Sequence, residues 1–406
     1  MEILKNLLKK IGLYKWVVLL WDWSNLQLQT LKLIVLILTK PNQENTYLFF
    51  PFYHTGGAEK VHLDISKAIS KQKPWIIFTN TSQDSSLLFE FQKNGPTFDL
   101  SYYFNRSYFL GICLKKALIY RINHSNRAIT FGGNCLLYYK LVGKFNSSVT
   151  CIDLIHAFVH RGEIGAEYVS LPVADRLDKR ITINSKTKKD FGWLYQENGL
   201  PEYLNDRISV IQNTVKVPEY YTNKIDIQTP QIAFVSRNSP EKRVELVGRI
   251  ACELHKNFNI KIWLIGPGLE NGIEPENRKF CNFVGNITEE QELKKWYEKI
   301  HILVLCSTRE GMPMVIMEAM AHSAVCISTN VGGISDHIIN GKNGFLIEWD
   351  DDSKVVEEFC KKTSQILFDP ALFLKISQKS YSYAKTHFNP QLFEESWSRI
   401  LTSPKA

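Results

Sequence analysis

The sequence has no cysteine pair spaced C-x-x-C and no His/Cys cluster with zinc-ligand spacing, although eight cysteines run from Cys113 to Cys360. That excludes a zinc ribbon or a dithiol redox centre, and it reads as reduced, mostly buried thiols in a cytosolic protein. Glycine and proline are scarce, 22 and 15 of 406 residues, which excludes a collagen and a long hidden linker. Internal repeats and low-complexity tracts are missing. No apolar run reaches the ~18–20 residues that cross a bilayer, so a multi-span transporter is excluded. Glu2 and Asp22 interrupt the N-terminal apolar region and no small-residue cleavage site follows it, so it does not read as a secretory signal. Acidic residues are absent from 101–150, a stretch with seven Lys/Arg.

What is present is ordinary for a soluble chain: 44% hydrophobic and 22% charged residues, in a length that calls for two domains or more. The charge is uneven. Residues 1–220 hold 27 Lys/Arg against 18 Asp/Glu, and residues 221–406 hold 22 against 23. A basic first half suits an anionic membrane face, an anionic substrate or nucleic acid. No nucleic-acid module contains the basic stretch, and its aromatics (Tyr102, Tyr103, Phe104, Tyr108, Phe109) read as core residues, so no nucleic-acid partner is expected.

In the first 45 residues, Ile3, Leu4, Leu7, Leu8 and Ile11 recur at helical spacing opposite Lys5, Lys9 and Lys10, a short basic amphipathic helix. Two apolar stretches follow, Trp16–Trp21 and Leu33–Leu38, separated by Asp22 and the polar run Ser24–Thr30. With Trp16, Trp21 and Trp23, this extension either lies in a membrane interface or packs on the body of the protein. After Pro41, apolar runs of strand length alternate with helical stretches. Strands are expected at Tyr47–Phe50, Trp75–Phe78, Ala117–Tyr120, Ser148–Leu154, Arg180–Asn184 and Ile208–Ile211. Others are expected at Ile232–Ser236, Lys261–Ile265, Phe283–Val284, Ile302–Leu305, Val325–Ser328 and Phe345–Ile347. Helices fit at Glu59–Lys71, Val244–Lys256, Glu289–Tyr297, Met314–His322 and Ala371–Thr386. This alternation means α/β with parallel sheets and helices on both faces. The polar stretch Glu219–Pro230 is the boundary between two such domains, with ligands bound beyond the strand ends.

One constellation stands out. After the strand HILVLCS comes TREGMPMVIMEAMAH, with Glu310 in the loop and Glu318 on a helix that Pro313 can start. That helix start, Gly311–Val315, offers free N–H groups to an anion. The strand Ile232–Ser236 ends in Arg237, with Lys242 five residues on; together the cations suit a diphosphate.

In order and spacing, Arg237/Lys242, WLIGPG (Trp263–Gly268), NFVGNI, EGMPMVIME (Glu310–Glu318), NVGGISDHI and NGKNGFLI resemble glycosyltransferase family 4, the retaining enzymes of the GT-B fold, across about residues 230–350. HTGGAEKV (His54–Val61) looks like that family's glycine-rich loop, with Gly56 and Gly57 approaching phosphate or acceptor. TCIDLIHAF looks like the strand carrying its active-site histidine, here His156. The chain departs from the pattern at support positions: Ser236, Thr214, Cys306, Ser323 and Val325.

The resemblance implies two Rossmann-like doubly wound domains facing a cleft, with a C-terminal helix crossing back. The boundaries are an extension over 1–45, an acceptor domain over 46–220, a nucleotide-sugar domain over 221–385, and a crossover helix and tail over 386–406. It implies transfer of a sugar from a nucleotide-diphosphate sugar to a glycan or lipid-linked acceptor, with no cofactor and no metal in the site. The enzyme would work in the cytoplasm, peripheral on the inner face of the membrane. His156, Arg237, Lys242 and Glu310 would be catalytic. Gly56, Gly57, Arg237, Lys242, Gly311, Met312, Pro313, Met314 and Glu318 would hold the donor. A nucleotide-sugar epimerase or a non-catalytic nucleotide-sugar-binding scaffold on the same fold are the competing readings.

Overall fold

The computed structural model describes residues 14–40, 45–106, 108–158, 165–224, 229–258, 260–348 and 351–405. The expected helix around Ile3–Ile11 lies outside them. Two parallel sheets organise these residues. The first contains β1 (Thr46–Phe50), β2 (Trp75–Phe78), β3 (Thr97–Asp99), β4 (Ile129–Gly133), β5 (Thr150–Ile155), β6 (Lys179–Thr182) and β7 (Ile208–Val210). Its spatial order is β3-β2-β1-β4-β5-β6-β7, with Leu48 of β1 between Ile76 and Phe131. The second contains β8 (Ile232–Val235), β9 (Ile262–Ile265), β10 (Cys281–Gly285), β11 (Ile302–Leu305), β12 (Val325–Thr329) and β13 (Phe345–Ile347), in the order β10-β9-β8-β11-β12-β13.

Runs such as WIIF, IAFV, ILVL and VCIST are buried along their whole length. Helices cover both faces of each sheet, so these strands are apolar in continuous runs instead of alternating, with only Ser328 and Thr329 polar. In each sheet the strand order reverses beside the first strand, between β1 and β4 and between β8 and β11. A crevice opens there beyond the carboxyl ends of the strands.

The last helix, Pro390–Leu401, returns to the first domain. Trp397 is fully buried with its ring edge-on to Phe131 at 5.2 Å, and Lys405 reaches Asp178 at 3.1 Å. All eight cysteines are free thiols.

Three expectations change. Trp16–Trp21 and Leu33–Leu38 are not separate stretches: one helix spans Tyr14–Thr39. Among its buried residues Thr30 bonds Leu26 O through its own hydroxyl, which satisfies the polar group inside the helix. Ala117–Tyr120 is not a strand but lies inside the helix Tyr108–Asn123. Its buried residues Leu114, Ala117, Leu118 and Ile122 repeat at three and four, and that period overrides the strand preference of a short aliphatic run. The strand between β1 and β5 is β4, ITFGG, whose two glycines weaken its signal. They are there for packing: a Cβ on Gly132 would stand 2.2 Å from the Tyr138 ring, and one on Gly133 2.8 Å from His62 Nε2.

Candidate active site

The site begins where the strands end. β8 runs into Ser236 and Arg237, β11 into Cys306 and Ser307, β1 into the loop before Gly56, and β5 into His156. The topology therefore brings together residues separated by 250 positions in the chain.

On the second domain, Lys242 Nζ donates to Glu310 Oε1 at 2.5 Å, and Ser307 Oγ donates to the same oxygen at 2.6 Å. Both partners are largely withdrawn from water, with side chains 17% and 9% exposed. Lys242 is positioned by the short turn Pro240–Lys242. The next residue, Arg243, anchors the loop below by donating from Nε to Cys306 O at 2.7 Å. Arg237 behaves differently. Its side chain is 71% exposed and meets Glu241 at 3.4 Å, so only one of the two expected cations is built into the wall.

The helix Met314–Ala321 starts directly after Pro313, the residue at its N-terminal boundary. Met312 is buried beneath it. Glu318, a turn along, accepts from Tyr297 OH at 2.8 Å on one oxygen and from Lys60 Nζ at 3.2 Å on the other. Burial and this carboxylate together push the Tyr297 hydroxyl well above its ordinary pKa, so it stays a donor. Because Lys60 belongs to the first domain, its bond to Glu318 crosses the cleft.

At Gly311 the two domains meet closely. A Cβ there would stand 2.3 Å from His156 O and 2.9 Å from Ile183 Cδ1. Gly332, at φ +60, lies against Glu310 O, where any side chain would collide and the left-handed backbone would also be strained. Asp336 completes the contact by accepting from Ser185 N at 2.7 Å and Ser185 Oγ at 2.6 Å. It thereby satisfies the start of a first-domain helix with a second-domain carboxylate.

His156 is the first domain's contribution. Its Nε2 is 2.9 Å from Nε2 of His62, a fully buried ring stacked on Phe50 at 4.6 Å. Burial lowers His156 to about 4 and His62 well below the usual histidine range, so both rings are neutral at pH 7. A neutral pair needs one N–H and one lone pair at this bond. His62 Nδ1 is buried with no hydrogen-bond partner. An unpaired acceptor is tolerated better than an unpaired N–H. The favoured arrangement therefore has His62 donating from Nε2, which leaves the proton of His156 on Nδ1.

The glycine loop carries a carboxylate. Glu59 Oε2 stands where a Cβ on Gly56 would meet it at 2.2 Å, and Glu59 Oε1 is 3.9 Å from His54 Nε2. Burial raises the Glu59 pKa. A Cβ on Gly57 would come into van der Waals range of Met314 Cγ across the cleft, at 3.6 Å. The Glu59 carboxyl therefore stands in the first turn of the helix after this loop, beside Gly56.

Sequence reasoning missed Lys60, His62, Tyr297 and Asp336. For His62 a signal existed, since it shares the buried helix face of Ile65 and Ile69. Lys60 and Asp336 lie within the motifs HTGGAEKV and NVGGISDHI, but their partners, like that of Tyr297, are fixed only in space. Among the described residues no group of His, Cys, Asp and Glu has the arrangement of a metal site.

Residues 229–367, which include Arg237, Lys242, Glu310 and Glu318, match the family described as Glycosyl transferases group 1. That match lies within the second domain. Relatives agree. The capsular polysaccharide biosynthesis glycosyltransferase CapM of Staphylococcus aureus is 27% identical over 169 residues, 40% of this chain and 43% of its own. An α-1,4-N-acetyl-D-galactosaminyltransferase of Campylobacter jejuni, named for a diphospho-undecaprenol-linked saccharide, is 24% identical over 43% of this chain and 48% of its own. The chain thus spans less than half the length of these curated relatives. The structure of Anabaena HepE in complex with UDP superimposes with a TM-score of 0.70 at 16% identity, over 88% of this chain and 99% of that one. That likeness covers both domains, and the fold is GT-B.

Proposed function

We propose that the protein is a retaining glycosyltransferase of family 4. It moves a sugar from a nucleotide-diphosphate sugar to a glycan or lipid-linked acceptor, presented at an anionic membrane face, in the synthesis of surface polysaccharide or glycolipid. The observation that carries this reading is the Lys242–Glu310–Ser307 cluster, held at one switch point and pressed through Gly311 against His156 from the other. The match of residues 229–367 and the UDP complex of HepE support a nucleotide sugar on that side.

In this reading Glu318 receives the ribose hydroxyls, and Lys242 with the exposed Arg237 receives the diphosphate. Glu310 accepts from hydroxyls of the transferred sugar, and the N–H groups at Gly311–Met314 face the phosphates. The bond from the anomeric carbon to the diphosphate oxygen breaks, and the bond to the acceptor oxygen forms on the same face. The acceptor's proton passes to the departing diphosphate oxygen, so no protein base is consumed. Negative charge grows on the diphosphate as its bond breaks. Lys242 is already in place and partly dehydrated, so its stabilisation of that charge needs little reorganisation. His156, neutral and protonated on Nδ1, offers a donor near the transferred sugar. Charge neutralisation is assigned to Lys242, Arg237 and the backbone, so turnover should survive EDTA.

The test is donor binding. UDP-, GDP-, ADP- and TDP-sugars are screened by thermal shift against the wild type and Lys242→Ala. One donor that raises the melting temperature of the wild type alone supports the reading. No response to any donor favours a scaffold instead. The anomeric configuration of the product, read by NMR, decides retention.

A further inference from the structure

From Leu26 to Thr39 the helix Tyr14–Thr39 is apolar on two opposite faces. Leu26, Thr30 and Ile37 are buried, and Ile37 with Leu33 packs in one core with Leu114, Leu118 and Ile122 of the helix Tyr108–Asn123. Arg121 locks the two helices together. Its Nη1 donates to Ile37 O and Lys40 O at 2.8 Å, and its guanidinium lies 4.1 Å above the Trp75 ring. About half a turn away, Leu28, Leu31, Val35 and Leu38 form a single stripe at 51%, 57%, 49% and 45% exposure. On the second helix the residues turned from that core are Phe109, Lys116 and Tyr120, with Phe109 71% exposed. A docked helix with an apolar stripe open to water is unusual for a monomeric domain and marks an interaction surface.

The charges around it identify the partner. Residues 23–39 and 101–150 contain no acidic side chain. Lys32 stands exposed on the first helix and Lys116 on the second. We infer that these two helices form a docking face for an anionic lipid surface, with Leu28, Leu31, Val35 and Leu38 entering the acyl boundary and the lysines meeting the headgroups. Asp22 is the one acidic residue of the two helices, against five Lys/Arg (Lys15, Lys32, Lys115, Lys116 and Arg121); a leucine stripe, aromatic residues and an excess of cations are what an interfacial helix requires. A second copy of the chain suits the face poorly, because a two-fold contact would set the like charges of Lys32 and Lys116 against each other. Among the described residues no helix is long and apolar enough to cross a membrane. The inference deepens the acceptor side of the proposed function, but it stands on the surface itself.

The experiment is flotation of the full chain with phosphatidylcholine vesicles, plain or with about 30 mol% phosphatidylglycerol, at about 0.1 M salt. The wild type should float with the anionic vesicles and mostly stay behind with the neutral ones. Leu31→Glu with Val35→Glu should cut the bound fraction tenfold or more with an unchanged melting temperature, since both side chains touch solvent. Lys32→Glu with Lys116→Glu should abolish the preference for anionic lipid. Wild-type protein that never floats overturns the proposal. So does an acidic double variant that floats as well as the wild type. A solution dimer that Leu31→Glu and Val35→Glu dissociate, with no vesicle binding, also overturns it and assigns the face to a second copy. None of these readouts depends on sugar transfer, so failure of the donor assignment and failure of this surface are distinguishable.

Discussion

Glu310→Gln separates binding from transfer. The substitution keeps the shape of the side chain and removes the charge that Lys242 meets at 2.5 Å. Breaking a fully buried pair by losing one partner costs about 3–5 kcal/mol, and exposed pairs are worth about 0–1. At 17% and 9% exposure this pair lies between those limits, so a loss of about 2–3 kcal/mol is expected. For a domain of roughly 150–250 residues that lowers Tm by about 4–12 °C. Lys242→Ala should cost a similar amount, and the double variant less than the sum, with a coupling of about 2 kcal/mol. UDP then discriminates. In wild type the diphosphate must approach Lys242 beside the Glu310 carboxylate. In Glu310→Gln that repulsion is gone, so UDP should bind more tightly and restore much of the lost Tm; ligand at 100 times its Kd contributes about 2.7 kcal/mol. Turnover should nevertheless fall about 10²–10³-fold, because the group that holds the sugar has lost its charge. The assays are thermal unfolding with a UDP titration, and sugar transfer with the donor found by screening. Additive single effects together with an unchanged UDP affinity would refute the reasoning.

Gly311→Ala should lower kcat at least tenfold with each domain still folded, because its Cβ would force His156 and Glu310 apart; small-angle scattering should show a wider cleft. Acid should weaken the fold in one direction: burial depresses His156 and His337 to about 4 and lowers His62 and His322, so unfolded chains bind the extra protons. Stability is then full above about pH 6.5 and lost as pH falls towards 4. His337 alone accounts for about 2 kcal/mol at pH 5, a loss that His337→Gln should largely remove from a Tm-against-pH series. His62→Ala should lower kcat more than it changes KM, and nitrogen-correlated NMR of histidine-labelled protein should show the His156 proton leaving a fixed Nδ1 position. Trp397→Ala, in the returning helix, should destabilise the first domain by about 3–5 kcal/mol, measured by urea unfolding.

Much of this protein is determined locally. Continuous apolar runs such as IAFV and ILVL become buried parallel strands because nothing else satisfies their backbone and side chains together. The spacing from Glu310 to Glu318, the turn after Arg237 and the start at Pro313 are also properties of short segments, and the two sheets and the second-domain site could be read from them. Local signals failed where packing outranks propensity. Ala117–Tyr120 became helix because its buried neighbours recur at three and four, and ITFGG became a central strand although glycines weaken it. Tertiary structure alone decided that Lys60 from one domain meets Glu318 of the other, that His62 aligns His156, that Glu59 occupies the glycine loop, and that Arg237 stays in water and Lys242 does not. It alone also left one stripe of the Tyr14–Thr39 helix outside the core. The reason is physical: hydrogen bonds, ion pairs and burial act over a few ångströms in space, and the chain brings such partners together from up to 258 residues apart.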